Sequence, residues 1–276
     1  MISRTAVLSE VGCRPKNQDR ASVLSTNISA VATEVLAVAD GMGGLHAGDQ
    51  AAEIAIELVS QYCRDVFPNV GPDYASVCSA VRALYTAVNS AVRLRAALLG
   101  ATGDMGTTLV IIVAWGSLYL VANVGDSRSY YVSPEIGMQV TEDHSRVQEL
   151  VRLGAMTPEN AKRSPFRSQL TRFLGQQESI DVDLFPAGPQ PGVLDPPCAL
   201  LLCTDGLSGH LSPEDIAAGL KAPGELAARS QSLVSLALER GATDNITVAV
   251  LERGVLSSAN TRVGPAPFGV SSRGEI

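Results

Sequence analysis

The stretch LVIIVAWGSLYLVANV, residues 109–124, decides the fold. It is the most apolar run in the chain, so a membrane span must be tested first. A spanning helix needs about 20 uninterrupted apolar residues, whereas Gly116-Ser117 divides this run into two short β-branched halves. Two such halves joined by a Gly-x pair read as a tight hairpin. From Gly106 to Val132 the sequence gives three short strands in succession. Strands joined this closely pair antiparallel, which predicts a meander and excludes a parallel βαβ series.

Upstream, residues 34–39 read as a buried strand that ends at Asp40-Gly41-Met42-Gly43-Gly44, where the glycines open a loop. Ala51, Ala52, Ile54, Ala55, Leu58 and Val59 then recur at spacings of three and four, predicting a helix from Gly48 onward. A second helix is expected from about Tyr74 to Leu98. Downstream, residues 144–153 form a small amphipathic helix closed by Gly154. Thr157-Pro158 and Ser212-Pro213 mark helix starts, and Asp215 completes a capping box at the second. Residues 159–177 are polar and weakly periodic and read as a mobile surface segment, while 188–197 is a proline-rich connector. A buried strand at 198–204 runs into Asp205-Gly206, and a helix at about 224–239 precedes Asp244-Asn245 and a last strand, 246–251. Beyond Glu252 the composition turns to Gly, Ser, Pro and Asn. This predicts a folded unit over 1–253 and a disordered tail over 254–276.

The 276 residues suit one large domain, and 46% hydrophobic with 18% charged residues describes a globular chain. A net charge of −7 argues against nucleic acid, which calls for a clustered basic face. Cys13, Cys63, Cys78, Cys198 and Cys203 show no paired spacing and read as reduced thiols. The start lacks the apolar core of a signal peptide, so a cytoplasmic protein with no membrane attachment is expected.

Asp19, Asp40, Asp205 and Asp244 each sit beside a strand where the backbone turns. Singly, Asp-Gly and Asp-Asn are ordinary turns. Gathered together, carboxylates raise one another's pKa unless cations neutralise them. Magnesium and manganese prefer such oxygen donors.

The motifs Arg14-Pro15-Lys16-Asn17-Gln18-Asp19-Arg20, Asp40-Gly41-Met42-Gly43-Gly44, Gly106-Thr107-Thr108, Gly125-Asp126-Ser127-Arg128, Thr141-Glu142-Asp143-His144-Ser145, Thr204-Asp205-Gly206 and Asp244-Asn245-Ile246-Thr247 follow in register over roughly 3–252. In this the chain resembles the bacterial branch of the metal-dependent serine/threonine protein phosphatases, type 2C. The resemblance implies an α+β fold, a four-layer α-β-β-α sandwich with two mainly antiparallel sheets flanked by helices and the metal site at one end. It implies two manganese or magnesium ions, bridged by Asp40, with the Gly41 carbonyl, Asp205 and Asp244 as further ligands. By the same resemblance Asp19 acts through bound water, Arg14 grips the phosphate, and Asp126 helps to hold a third, weaker ion. The implied activity is direct hydrolysis of phosphoserine and phosphothreonine on proteins. The expected partners are phosphoprotein substrates and a bacterial Ser/Thr protein kinase, and the chain is expected to be a monomer. An inactive relative serving as a binding module is the alternative.

A cysteine-dependent phosphatase places Arg six residues after Cys, but Asp19, Asn69, Leu84, Thr204 and Gly209 stand there. The chain also departs from its relatives. Gly209 stands where they commonly carry another aspartate, Gln18 where many have glutamate, and Met42 where eukaryotic relatives have histidine. His46, His144 and His210 are assigned no role, and Arg167 and Arg172 read as solvated surface arginines.

Overall fold

The computed structural model describes residues 3–43, 47–254 and 256, apart from the side chain of Lys162. In chain order the elements are β1 (Ser3–Glu10), β2 (Asp19–Ile28), β3 (Val31–Met42), α1 (Ala47–Asp65), α2 (Tyr74–Leu99), β4 (Gly106–Thr107), β5 (Leu109–Trp115), β6 (Leu118–Val124), β7 (Arg128–Val132) and β8 (Gly137–Gln139). There follow α3 (Arg146–Arg152), α4 (Pro158–Arg163), β9 (Asp183–Phe185), β10 (Gly192–Val193), β11 (Cys198–Cys203), α5 (Asp205–Ser208), α6 (Pro213–Lys221), α7 (Leu226–Glu239) and β12 (Ile246–Arg253).

The strands form two antiparallel sheets. One has the order β1-β12-β11-β7-β8; the other runs β10-β6-β5-β3-β2, with β4 beside β3 and β9 beside β6. Side-chain alternation explains why the central strands read as unbroken apolar runs. In β3, Val35, Ala37 and Ala39 pack with residues of α1 and α2, while Leu36 and Val38 enter the space between the sheets. In β11, Ala199, Leu201 and Cys203 face α6 and α7, while Leu200 and Leu202 face the opposite sheet. A strand covered on both faces needs no polar side. The result is the expected four-layer α-β-β-α sandwich.

The hairpin at Gly116-Ser117 forms as predicted, with Leu109 opposite Val124 and Trp115 opposite Leu118. The buried Tyr85 hydroxyl of α2 ties it down by bonds to the Leu109 and Ala122 carbonyls. Among the described residues no helix is long and apolar enough to cross a membrane, and all five cysteines are free.

Four expectations need correction. The meander ends after β6, because β7 crosses to the other sheet and pairs with β11. The first predicted strand runs on through Met42, since Gly41 and Met42 pair with Thr107 and Gly106 of β4. The proline-rich connector contains β10, which pairs with β6. Strands β1 and β2 were not foreseen at all. Of the predicted tail, Gly254 and Leu256 are described; the rest lies outside the described residues, as does His46.

Candidate metal centre

The topology delivers the aspartates to one end of the sandwich. Asp19 opens β2 directly opposite Asp40 near the end of β3. Asp126 lies in the turn between β6 and β7, Asp205 just past the end of β11, and Asp244 just before β12. Antiparallel strands bring these starts and ends together.

Their charges act on one another. The Asp40 carboxyl is pushed well above the usual range, first by burial and then by repulsion from Asp19, Asp205, Asp126 and Asp244. Burial and Asp205 raise Asp126, an effect that Arg128 opposes. Burial and Asp244 raise Asp205, against Arg128 and Arg14. Asp19 is pushed up to about 7, mainly by burial, although hydrogen bonds from Thr247 and Thr204 act the other way. Asp40, Asp126 and Asp205 keep part of their surface open to solvent, so burial and the crowding of charge act on them together.

This donor set, carboxylate oxygens crowded beyond what nearby arginines compensate, is chemically suited to hard divalent cations. Among the described residues no group of three or more His, Cys, Asp or Glu side chains is arranged so that it could hold a metal ion, so the fit rests on the chemistry of the donors and on the strand ends that carry them. Asp244 is engaged sideways by Arg14, with Nε to Oδ1 at 2.9 Å and Nη2 to Oδ2 at 2.7 Å. The guanidinium expected to meet phosphate thus sits, largely exposed, on a carboxylate.

The surrounding motifs are scaffolding for this end. Asn245 accepts from the Gln18 N–H through Oδ1 at 2.8 Å and donates from Nδ2 to the Val11 and Lys16 carbonyls, stitching the loop before Asp19 to β12. The Thr108 N–H and Thr107 hydroxyl both donate to the Asp40 carbonyl. Thr108 Oγ1 accepts from the Asp40 N–H and lies 2.8 Å from Ser127 Oγ, which links the end of β3 to the Asp126 turn. Thr204 Oγ1 donates to Asp19 Oδ2 at 2.9 Å and accepts from the Thr247 N–H. Gly41 is demanded by close approach: a Cβ there would stand 2.0 Å from the Gly48 carbonyl oxygen.

Asp205 does not sit in a loop as expected; it begins the short helix α5 with Thr204 as N-cap. Gly209, at the end of that turn, adds no carboxylate beside Asp126, whose acidic neighbours include Asp205, Asp143 and Asp40. Asp143 is itself held by Arg128, with Nη2 to Oδ2 at 2.7 Å. Gln18 directs its amide Nε2 to the Gly43 carbonyl. Met42 is half-buried, and His210 Nδ1 lies 3.2 Å from the Gly206 carbonyl oxygen. Arg167 stays exposed. Arg172 corrects our expectation of a solvated arginine, because its Nη1 donates to Asp183 Oδ1 at 2.7 Å. Sequence reasoning missed the hydroxyls of Thr204 and Thr247 and the amide of Asn245, since single polar residues carry no spacing signal of their own.

Comparison with known proteins agrees with this fold. The family model described as "Protein phosphatase 2C" matches residues 16–238. The chain is 33% identical over 240 residues to the serine/threonine phosphatase stp of Listeria monocytogenes, covering 87% of this chain and 91% of that protein. The S. agalactiae serine/threonine phosphatase superposes with a TM-score of 0.81 at 30% identity, covering 91% and 99% of the two chains. The catalytic domain of the serine threonine protein phosphatase PstP in complex with two manganese ions superposes with a TM-score of 0.74 at 32% identity, covering 91% and 97%.

Proposed function

This chain belongs to the protein phosphatase 2C family and is a serine/threonine protein phosphatase, and from that premise we propose that its aspartate pocket holds two manganese or magnesium ions. In this reading Asp40, the Gly41 carbonyl, Asp205 and Asp244 would hold the ions, Asp40 serving both, and Asp19 would act through bound water. Asp126 serves a third, weaker ion. The gathering of these residues at one set of strand ends, with Asp19 directly opposite Asp40, carries the proposal, and the upward push on Asp40 accords with it.

When bound, two such cations supply activation of a water molecule and neutralise charge on the entering and leaving oxygens. The chain's own residues position the rest. The Thr204 and Thr247 hydroxyls keep Asp19 oriented toward the pocket. Thr107 and Thr108 fix the backbone of Asp40. Arg14, exposed and paired with Asp244, would exchange that carboxylate for the phosphate of the substrate, presenting two donors in one plane. No side-chain nucleophile is required. Substrates phosphorylated by a bacterial-type Ser/Thr kinase, a monomeric catalytic unit over 1–253 and a cytoplasmic setting belong to the same reading and rest on the family.

The test is direct. Protein stripped of metal should hydrolyse a phosphothreonine peptide only after manganese or magnesium is restored, and Asp40→Asn or Asp205→Asn should remove most of that rate. Undiminished activity in excess chelator would overturn the mechanism; inactivity under every metal condition would favour a binding module.

A further inference from the structure

We propose that His144 is a positioning residue that fixes the turn carrying Asp126 by clasping both backbone groups of Gly125. The proposal rests on the reading of the aspartate pocket as the reaction centre. The Gly125 N–H donates to His144 Nδ1 at 3.0 Å, and the His144 N–H donates to the Gly125 carbonyl at 3.0 Å. Gly125 needs such a hold. Its φ of +114° lies in the region that favours glycine, and a Cβ there would meet Thr108 Cα at 3.1 Å and the Thr108 side chain closer still. On the other side of Asp126, Ser127 is anchored to Thr108. Asp126 thus hangs between two fixed residues; on the Gly125 side the Asn123 amide also donates to the carbonyl at 3.1 Å, and His144 alone holds the N–H.

The hydrogen-bond partners also assign the ring's tautomer. Because Nδ1 accepts from Gly125, the proton of the neutral imidazole must sit on Nε2. Nε2–H then donates to Asp183 Oδ2 at 3.0 Å, and Asp183 Oδ1 accepts from Arg172. Arg172 Nη1 lies 3.1 Å from Nε2, but two donors cannot bond each other, so its bond to Asp183 is the effective one. Burial, stronger here than the pull of Asp183, lowers the His144 pKa and keeps the ring neutral. The arrangement follows the pattern in which a carboxylate holds a histidine so that its other nitrogen can serve.

His144 further joins this turn to the excursion that follows it. Its carbonyl accepts from the Thr171 N–H at 2.8 Å, and the Arg146 N–H donates to the Gln169 carbonyl at 2.8 Å, closing the base of the segment that contains α3 and α4. That base, which includes part of the stretch expected to be mobile, is therefore pinned beside Asp126.

Two substitutions separate the two edges of the ring. His144→Asn places an amide oxygen where Nδ1 stands and retains an acceptor for Gly125. His144→Gln reaches toward Asp183 but leaves the Gly125 N–H without its partner. With p-nitrophenyl phosphate as substrate, His144→Gln should lower kcat and raise the manganese concentration for half-activation, each roughly three- to tenfold for one lost hydrogen bond, at unchanged KM. His144→Asn should stay within about twofold of the parent on the same scale. In the metal-stripped protein, nitrogen NMR of the ring should show the Nε2–H tautomer at neutral pH, and amide exchange at Gly125 should accelerate in the Gln variant alone. An Nδ1–H tautomer, or equal effects of the two substitutions, overturns the proposal. If the parent protein proves inactive with manganese while the ring and exchange results hold, the reading of the pocket fails and the clasp on Gly125 stands.

Discussion

Thr204 illustrates how much of the centre depends on side chains that need not touch a cation. Its hydroxyl gives its one proton to Asp19 and accepts the Thr247 N–H, so a single oxygen fixes both an acidic residue and the entry to β12. Thr204→Val preserves shape and removes both bonds. Loss of a residue that orients the surroundings of a metal typically changes its affinity by roughly 10–100-fold, and a buried N–H left without an acceptor costs about 1–3 kcal/mol. We expect calorimetric titration of the Thr204→Val protein with manganese to show affinity reduced within that range, together with a lower Tm. Unchanged affinity would mean that Asp19 is oriented without Thr204. At this scale the sequence revealed the aspartates, because Asp-Gly and Asp-Asn stand out beside strands. It concealed the hydroxyls and His144, whose parts are set by residues far away in the chain: Thr204 meets Asp19 across 185 positions.

Among the elements, helix α6 shows local chemistry that is legible and testable. Ser212 accepts from the Asp215 N–H, and Asp215 Oδ2 accepts from the Ser212 N–H at 2.8 Å, which is the capping box the sequence predicted. The structure adds Arg240, whose Nη2 donates to Asp215 Oδ1 at 2.9 Å. Arg240 first, then the Ser212 N–H, holds the Asp215 carboxyl well below its ordinary value. A carboxyl lowered in the folded state stabilises the fold above its unfolded pKa of about 4 and loses that contribution as pH falls toward the folded value. The site is largely open to solvent, so screening keeps the effect small. Asp215→Asn should cost on the order of 1 kcal/mol near neutral pH and should flatten the fall in stability between about pH 4 and pH 2; a denaturant series at several pH values measures both. Strands β5 and β6 were legible for the same reason as this cap, since turn residues and apolar runs are local. Strands β1 and β2 were not. Each lies at the edge of its sheet, and β1 alternates exposed and half-buried residues along its whole length. Edge strands such as SRTAVLSE present too little apolar surface to distinguish them from a loop.

Across the whole molecule, stability and chemistry occupy opposite ends of the same strand. β12 starts next to Asp244 at the acidic pocket and carries Glu252 near its other end, roughly 20 Å further along at the usual rise of a strand. Glu252 is fully buried and accepts from Arg229 at 2.9 Å, from Arg4 and from the Leu256 N–H. Arg229 is itself buried and also donates to the Leu220 carbonyl. One carboxylate therefore joins β1, α7 and the end of α6 around β12. Removing its charge with Glu252→Gln leaves two guanidinium groups facing one another, and an uncompensated buried charge costs about 3–5 kcal/mol. For a chain of this size that corresponds to a Tm lower by on the order of 10 °C. The aspartates at the far end keep their scaffolding of Thr108, Thr204 and Asn245, so kcat per folded molecule, measured well below the transition, should match the parent. A variant that kept its Tm would show that packing alone secures this end. Loss of kcat without loss of folded protein would show instead that the two ends of β12 move as one body, and that the pocket is set by the strand's far anchor as well as by its own hydroxyls.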